Sequence, residues 1–234
     1  MQPARSTGLA CAVLLFIVLT PYGLAQEAPG NHEMAGYDGL FRAVVDGDLR
    51  RLDTLLIRGA DADRRDGRGR TPLHVAAHLG AHDAMRILVS AGADPNALDH
   101  ERYDIVTIAA VAGDLATLHL ALELGGRADN VTSPYDGTAL IAAAHLGHAD
   151  AVAMLIAAGA PLDHVNNLGW TALIEAIVLG DGGPAHRRTV EALLDAGADP
   201  DQSDRSGRTP LQLAEQRGYL EMADALRAAG DRRP

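Results

Sequence analysis

No lysine occurs anywhere in the chain; all twenty basic residues are arginine. That excludes a phosphate-binding Gly-Lys-Ser/Thr loop and Schiff-base chemistry, since both need a lysine amine. Cysteine is almost as scarce, and with Cys11 alone no internal disulfide can form. Stability must then come from packing. Cations are few beside 31 acids, and the formal net charge of −11 argues against nucleic-acid or anionic-membrane partners, which need clustered positive charge. Near the start stands an apolar stretch at residues 9–20, LACAVLLFIVLT, interrupted only by its last residue.

That run follows Arg5, is broken by Pro21, and is trailed by small residues at Gly23 and Ala25. This is the layout of a secretory signal peptide cleaved after Ala25. Twelve residues fall short of the roughly 20 that a membrane span requires. Cys11 lies inside the apolar stretch, so it is not placed as a lipid-anchored cysteine. Loss of residues 1–25 leaves 209 residues without cysteine and shifts the net charge to −12, because Arg5 leaves and no acid does. Exclusive arginine use fits a GC-rich bacterial genome, and together these features predict export, with the periplasm as destination. Residues 26–35 (QEAPGNHEMA) have no apolar period and are expected to form a flexible lead.

What remains is a beat. Asp38, Thr71, Asp104, Thr138, Thr171 and Thr209 stand at spacings of 33, 33, 34, 33 and 38 residues. Nine residues after them come Gly47, Gly80, Gly113, Gly147, Gly180 and Gly218. A second glycine follows twelve residues later as Gly59, Gly92, Gly125, Gly159 and Gly230, and five residues late as Gly197. In TPLHVAAHLG (71–80) Thr71 suits an N-cap, Pro72 the first helical position, and Gly80 a left-handed helix stop. Leu73, Ala76 and Ala77 share one face, small enough for close helix approach. A second helix places Met85, Ile87 and Leu88 inward. Asp63, Asn96, Asp129, Asp163 and Asp201 recur four residues after the second glycine and suit Asx turns.

A unit of some 33 residues carrying Thr-Pro-Leu-His-x-Ala resembles the ankyrin repeat. The resemblance is clearest over 69–99, persists over 137–163, 169–201 and 207–231, and is degenerate at 38–66 and 104–129. It implies an all-α solenoid of about six helix-turn-helix units with protruding β-hairpin or turn loops. The domain would cover 36–231, with units near 38–66, 69–99, 102–132, 136–166, 169–204 and 207–231. Two departures stand out. Gly182, Gly183 and Pro184 in the insertion DGGPAHRR (181–188) predict an exposed loop. The turn 130–137 is one residue longer than its siblings and holds an Asn130-Val131-Thr132 glycosylation sequon.

Most motif residues already have a folding role. His74 is the consensus histidine of the resembled family, and His148 sits at its Gly-His. His74, His78 and His82 have a four-and-four spacing that can hold zinc, but Gly80 interrupts the helix and no HExxH is present. GDGGPAH follows a helix, unlike a nucleotide-binding glycine loop. No nucleophile, base and orienting group can be assembled, so the chain reads as non-enzymatic, with no cofactor and no metal.

Informative positions are those the repeat leaves free. The residues just before the openers are Tyr37, Arg70, Tyr103, Gly137, Trp170 and Arg208, with Tyr135 the bulky neighbour in the fourth unit. Four of the six aromatics outside residues 1–25 therefore fall in tips. Tyr, Trp and Arg dominate binding hot spots, although rings at tips can equally serve packing. By the resemblance, tips and first-helix ends line a concave surface that His78, His145 and Arg217 would border. The expected function is an exported, monomeric protein-binding scaffold or regulator with an unidentified partner protein, using Tyr37, Arg70, His78, Tyr103, Tyr135, His145, Trp170 and Arg208. The alternatives are a metal- or small-ligand-binding envelope protein using His78, His145 and the His186 loop, or a secreted effector.

Overall fold

The computed structural model describes residues 28–232; the segment read as a signal peptide, residues 1–25, lies outside them. Each of the six openers N-caps a helix. At five of them the Thr or Asp oxygen accepts the backbone N–H three residues on, at 2.8–3.4 Å. Such caps satisfy orphan donors and contribute about 1 kcal/mol each. Asp38 instead pairs with Arg64 at 3.0 Å.

The first helices are α2 (Gly39–Val45), α4 (Pro72–His78), α6 (Ile105–Ala112), α8 (Ala139–His145), α10 (Ala172–Val178) and α12 (Pro210–Arg217). Their partners are α3 (Leu49–Ile57), α5 (His82–Ser90), α7 (Leu115–Glu123), α9 (Ala149–Ala157), α11 (Pro184–Asp195) and α13 (Leu220–Asp231). Successive first helices pack on one another in a row, and the second helices lie against them as a second layer. The position explains the composition. In the first row α6 buries Ile105, Val106, Thr107, Ile108, Ala109 and Ala110, whereas α5, in the second layer behind α4, buries only Ala84, Met85 and Leu88. The last first helix, α12, buries Pro210, Leu213 and Ala214 and turns Gln212, Glu215 and Gln216 to solvent. A polar outer face at the end of the stack is what a terminal repeat needs.

Hydrogen bonds between repeats finish the helix ends. His148 Nδ1 donates to the Ala110 carbonyl at 3.0 Å, His186 Nε2 to that of His145 at 2.9 Å, and Tyr219 Oη to that of Gly180 at 3.0 Å. The tips are tied in series as well: His100 N–H donates to Arg68 O, Ser133 N–H to Arg102 O, and Asn167 N–H to Tyr135 O, at 2.9–3.0 Å.

Several expectations are corrected. The lead is not irregular throughout: Asn31–Gly36 form a helix, α1, because Glu33 accepts from Gly30 N–H and from Arg68 and Arg70. The 181–188 insertion is mostly not a loop, since Pro184 takes the first position of α11 and residues 184–188 extend that helix. In that repeat Gly182, not Gly180, adopts the left-handed conformation (φ 74°), and Gly230 lies within α13. Asp63, Asn96 and Asp163 are not local turn formers. They accept the N–H groups of Asp94, Arg127 and Asp199 in the next repeat, while Asp61, Asp94 and Asp199 close the Asx turns. The tips are turns, one of the two forms expected, with one isolated bridge, Thr132 to Gly137, among the described residues. No described helix is long and apolar enough to cross a membrane.

Candidate binding cleft

From the second repeat on, each tip is built by a side chain five residues before its opener. Asp66, Asp99, Asn166 and Asp204 accept two N–H groups each, including that of the residue just before the opener, at 2.8–3.0 Å. Ser133 does the same in the fourth repeat, where its φ of 67° and that of Asp136, 53°, accommodate the extra residue. This fixes where Tyr103, Tyr135 and Trp170 stand.

His74 sets one wall. Its Nδ1 accepts the Thr71 N–H at 3.1 Å, so the proton sits on Nε2, which donates to the Tyr103 carbonyl at 3.0 Å. Burial lowers its pKa, consistent with a neutral ring held between two repeats. Tyr103 is itself 6% exposed, and burial, then nearby Asp99, pushes its phenol up to about 12.

Between the third, fourth and fifth repeats, Tyr103, Thr107, Tyr135, Ile141, His145, Leu146 and Leu168 surround a cleft floored by Asn166 and Glu175, with an empty volume of about 670 Å³ including its open mouth. The walls are mainly apolar; the floor is not. Glu175, whose side chain is 5% exposed, receives Asn166 Nδ2–H on Oε1 at 2.8 Å and faces His145 Nδ1 with Oε2 at 3.2 Å. The His186 bond to the His145 carbonyl, with Asp181 holding the other ring nitrogen at 2.9 Å, buttresses this helix end. The inserted residues thus keep in place a cap that His148 supplies one repeat earlier.

Of the predicted binding residues, the structure brings the tip residues Tyr103 and Tyr135 and the helix-end His145 into the cleft. Trp170 is half-buried against the core outside it, and Arg208 is exposed beside Asp204 at 2.7 Å. Arg70 is not an open fingertip. It is 2% exposed and bonds Asp66 at 2.8 Å, Glu33 at 3.1 Å and the Tyr37 hydroxyl at 3.1 Å. Tyr37 donates to Asp66 at 2.7 Å and stacks on Phe41, so both residues serve to hold α1 on the stack. Asp66 is ionised below its ordinary range because the Tyr37 and Arg70 hydrogen bonds outweigh its burial. His78, with its pKa lowered to about 4 by burial and then by Arg70 and His74, lies away from this cleft. The structure does not gather His78, His145 and His186, since His186 meets the backbone of His145; among the described residues no three His, Cys, Asp or Glu side chains cluster as metal ligands. Asn130 of the sequon donates to Asn96 and Asp104 at 2.9 Å, bonds that glycosylation would break.

Glu175 and Asn166 were missed from sequence, yet both leave a trace there. Four residues after the openers stand Arg42, Val75, Ile108, Ala142, Glu175 and Leu213, with Glu175 the sole acid; five before them Asn166 is the one amide among Asp66, Asp99, Ser133 and Asp204. An amide at that place can donate to a carboxylate where an aspartate cannot.

Comparisons with known proteins agree with this architecture. Ankyrin-repeat family models match residues 40–126, 106–204 and 184–227. An ankyrin repeat domain from Acinetobacter baumannii AYE superposes with a TM-score of 0.77 at 42% identity, covering 82% of this chain and 97% of that one. The ankyrin repeat domain of Bcl-3, described as a unique member of the IkappaB protein family, gives 0.75 at 29%, covering 83% and 87%. The Escherichia coli K12 protein YahD is 36% identical over 80% of this chain and 94% of its own length. The chain spans only 20% and 40% of two longer relatives. By its repeats, its helix pairs and these matches, the chain belongs to the ankyrin-repeat family.

Proposed function

We propose that the protein is an exported, non-enzymatic binding scaffold that recognises a partner protein through the tips and the Tyr103–Tyr135–His145 cleft, working as a monomer in the periplasm. Ankyrin repeats are generally protein-interaction scaffolds, and the observation that supports this surface is the cleft itself. It is the place where apolar walls and convergent polar groups occur together, the usual composition of a binding site. Tips and helix ends are held by bonds across repeats, so little ordering entropy is lost on association. Export rests on the composition of residues 1–25.

Co-purification from the producing cell envelope tests it, comparing wild type with the pair Tyr135→Ala and Leu146→Glu. Both residues line the cleft at partly exposed positions. Loss of the co-purifying protein with an unchanged melting temperature is expected. A partner retained in full by the folded double variant refutes the surface, and a chain found only in the cytoplasm refutes export.

A further inference from the structure

Among the described residues three other than glycine take left-handed backbone, and all three stand in the third and fourth tips: Arg102 (φ 65°), Ser133 (φ 67°) and Asp136 (φ 53°). Ser133 builds its own turn. Arg102 and Asp136 hold the place two residues before the opener, where the second, fifth and sixth repeats carry Gly69, Gly169 and Gly207 at φ 75°, 84° and 75°. A Cβ on Gly207 would meet nothing within 4 Å, so glycine there serves the backbone angle alone. A residue with a long side chain is disfavoured at that angle, yet the third tip keeps an arginine in it.

Main-chain bonds hold both residues in place, with Ser133 N–H donating to Arg102 O at 3.0 Å and His164 Nε2 to Asp136 O at 2.7 Å. Their side chains contribute little to the fold. Arg102 pairs with Asp136 at 3.3 Å, about half of each side chain is exposed, and pairs so exposed add little stability. Strained backbone kept without a structural gain points to function. Arg102 adjoins Tyr103, and Asp136 lies between Tyr135 and Gly137; those three line the cleft, so the pair stands at its lip. Inside, the walls are Tyr103, Tyr135, Ile141, Leu146 and Leu168, and Glu175 on the floor already has both oxygens partnered. Such an interior fits an uncharged apolar side chain. The lip pair is neutral overall and sets a guanidinium donor beside a carboxylate acceptor, the complement of the C=O and N–H of peptide groups.

We propose that Arg102 and Asp136 are recognition residues that grip the main-chain amides flanking an apolar side chain, which the partner protein inserts into the cleft. The assignment rests on the protein-binding reading and adds the chemistry of the segment the partner presents.

The test uses ¹⁵N-labelled protein purified after export from its own cell, titrated with N-acetyl-leucine methylamide and with its ester analogue, in which oxygen replaces both amide N–H groups. The amide should shift resonances of Arg102, Asp136 and Leu146 and bind about fivefold more tightly than the ester, the effect of one hydrogen bond. Arg102→Gly and Arg102→Ala should each bring the amide down to the ester's affinity. Only the glycine variant should melt higher than wild type, by about 2–4 °C, because glycine is unstrained at that angle. Equal binding of amide and ester, binding of neither, or a preference that survives both variants overturns the proposal. So does a glycine variant that melts no higher than the alanine one. A co-purifying protein lost by the Tyr135→Ala, Leu146→Glu variant but fully retained by Arg102→Gly sinks the lip assignment alone. Full retention by both sinks the protein-binding reading along with it.

Discussion

Asn166→Asp changes one atom type and tests whether the buried amide is matched to Glu175. The aspartate would still accept the Leu168 and Trp170 N–H groups, as Asp66, Asp99 and Asp204 do in their own tips. What it loses is the 2.8 Å donor bond to Glu175, and it brings a second negative charge to that distance. A hydrogen bond to a charged acceptor contributes about 1.5–3 kcal/mol. Two unit charges at such a separation repel by roughly 6 kcal/mol at an effective dielectric near 20, a ceiling that side-chain movement and water entry reduce. The net loss should be about 3 kcal/mol, which for a chain of this size lowers the melting temperature by roughly 6–12 °C. Thermal unfolding by circular dichroism at pH 7.5 measures it, and acid that protonates one of the two carboxylates should relieve the loss. The same substitution in a Glu175→Gln background should cost far less, because the new amide can donate to the aspartate. A single variant melting within 1 °C of wild type, or a penalty unchanged in the double variant, refutes the reasoning.

Arg70→Leu leaves Asp66 and Glu33 without their shared guanidinium, which bonds them at 2.8 and 3.1 Å. Because one partner of a buried pair is removed, destabilisation of about 3 kcal/mol is expected, together with faster proteolysis around α1; unchanged cleavage there contradicts the pinning role. His78 has a folded pKa lowered to about 4 from an ordinary value of 6.5, so the unfolded chain takes up its proton first. Its contribution, on the order of 2–3 kcal/mol, is complete above about pH 6.5 and is lost as pH falls towards 4. Imidazole resonances followed by NMR would contradict this by titrating His78 near 6.5. His186→Ala removes the 2.9 Å bond to the His145 carbonyl and should cost about 1 kcal/mol, with chemical-shift changes centred on Glu175 and Leu146. Shift changes confined to α11 count against the buttress.

Legibility in the sequence followed the period. The six openers became N-caps and most of the periodic glycines became left-handed stops, because capping and helix termination are local and repeat with the chain. The cleft lay where the period breaks. Glu175 departs from Val75, Ile108 and Leu213, and Asn166 from Asp66 and Asp204, but their pairing joins residues nine apart and requires His145 from another repeat. Spacing does not show such meetings. Arg70 misled for a related reason: an arginine at a tip looks free until α1 folds over it and supplies Glu33. The insertion looked like a loop because its glycines and proline were read as helix breakers, whereas Pro184 opens a helix as readily as it ends one.

The central claim is that the tip and cleft face, rather than the outer helices, meets a protein. Photo-crosslinking in the producing cell tests it directly, with p-benzoylphenylalanine placed at position 135 or 146 and, for comparison, at the exposed positions Arg86 and Glu191 on the second helices. A discrete adduct from 135 and 146 with none from 86 and 191 is predicted; an adduct from the outer positions alone, or equal yields from all four, contradicts it.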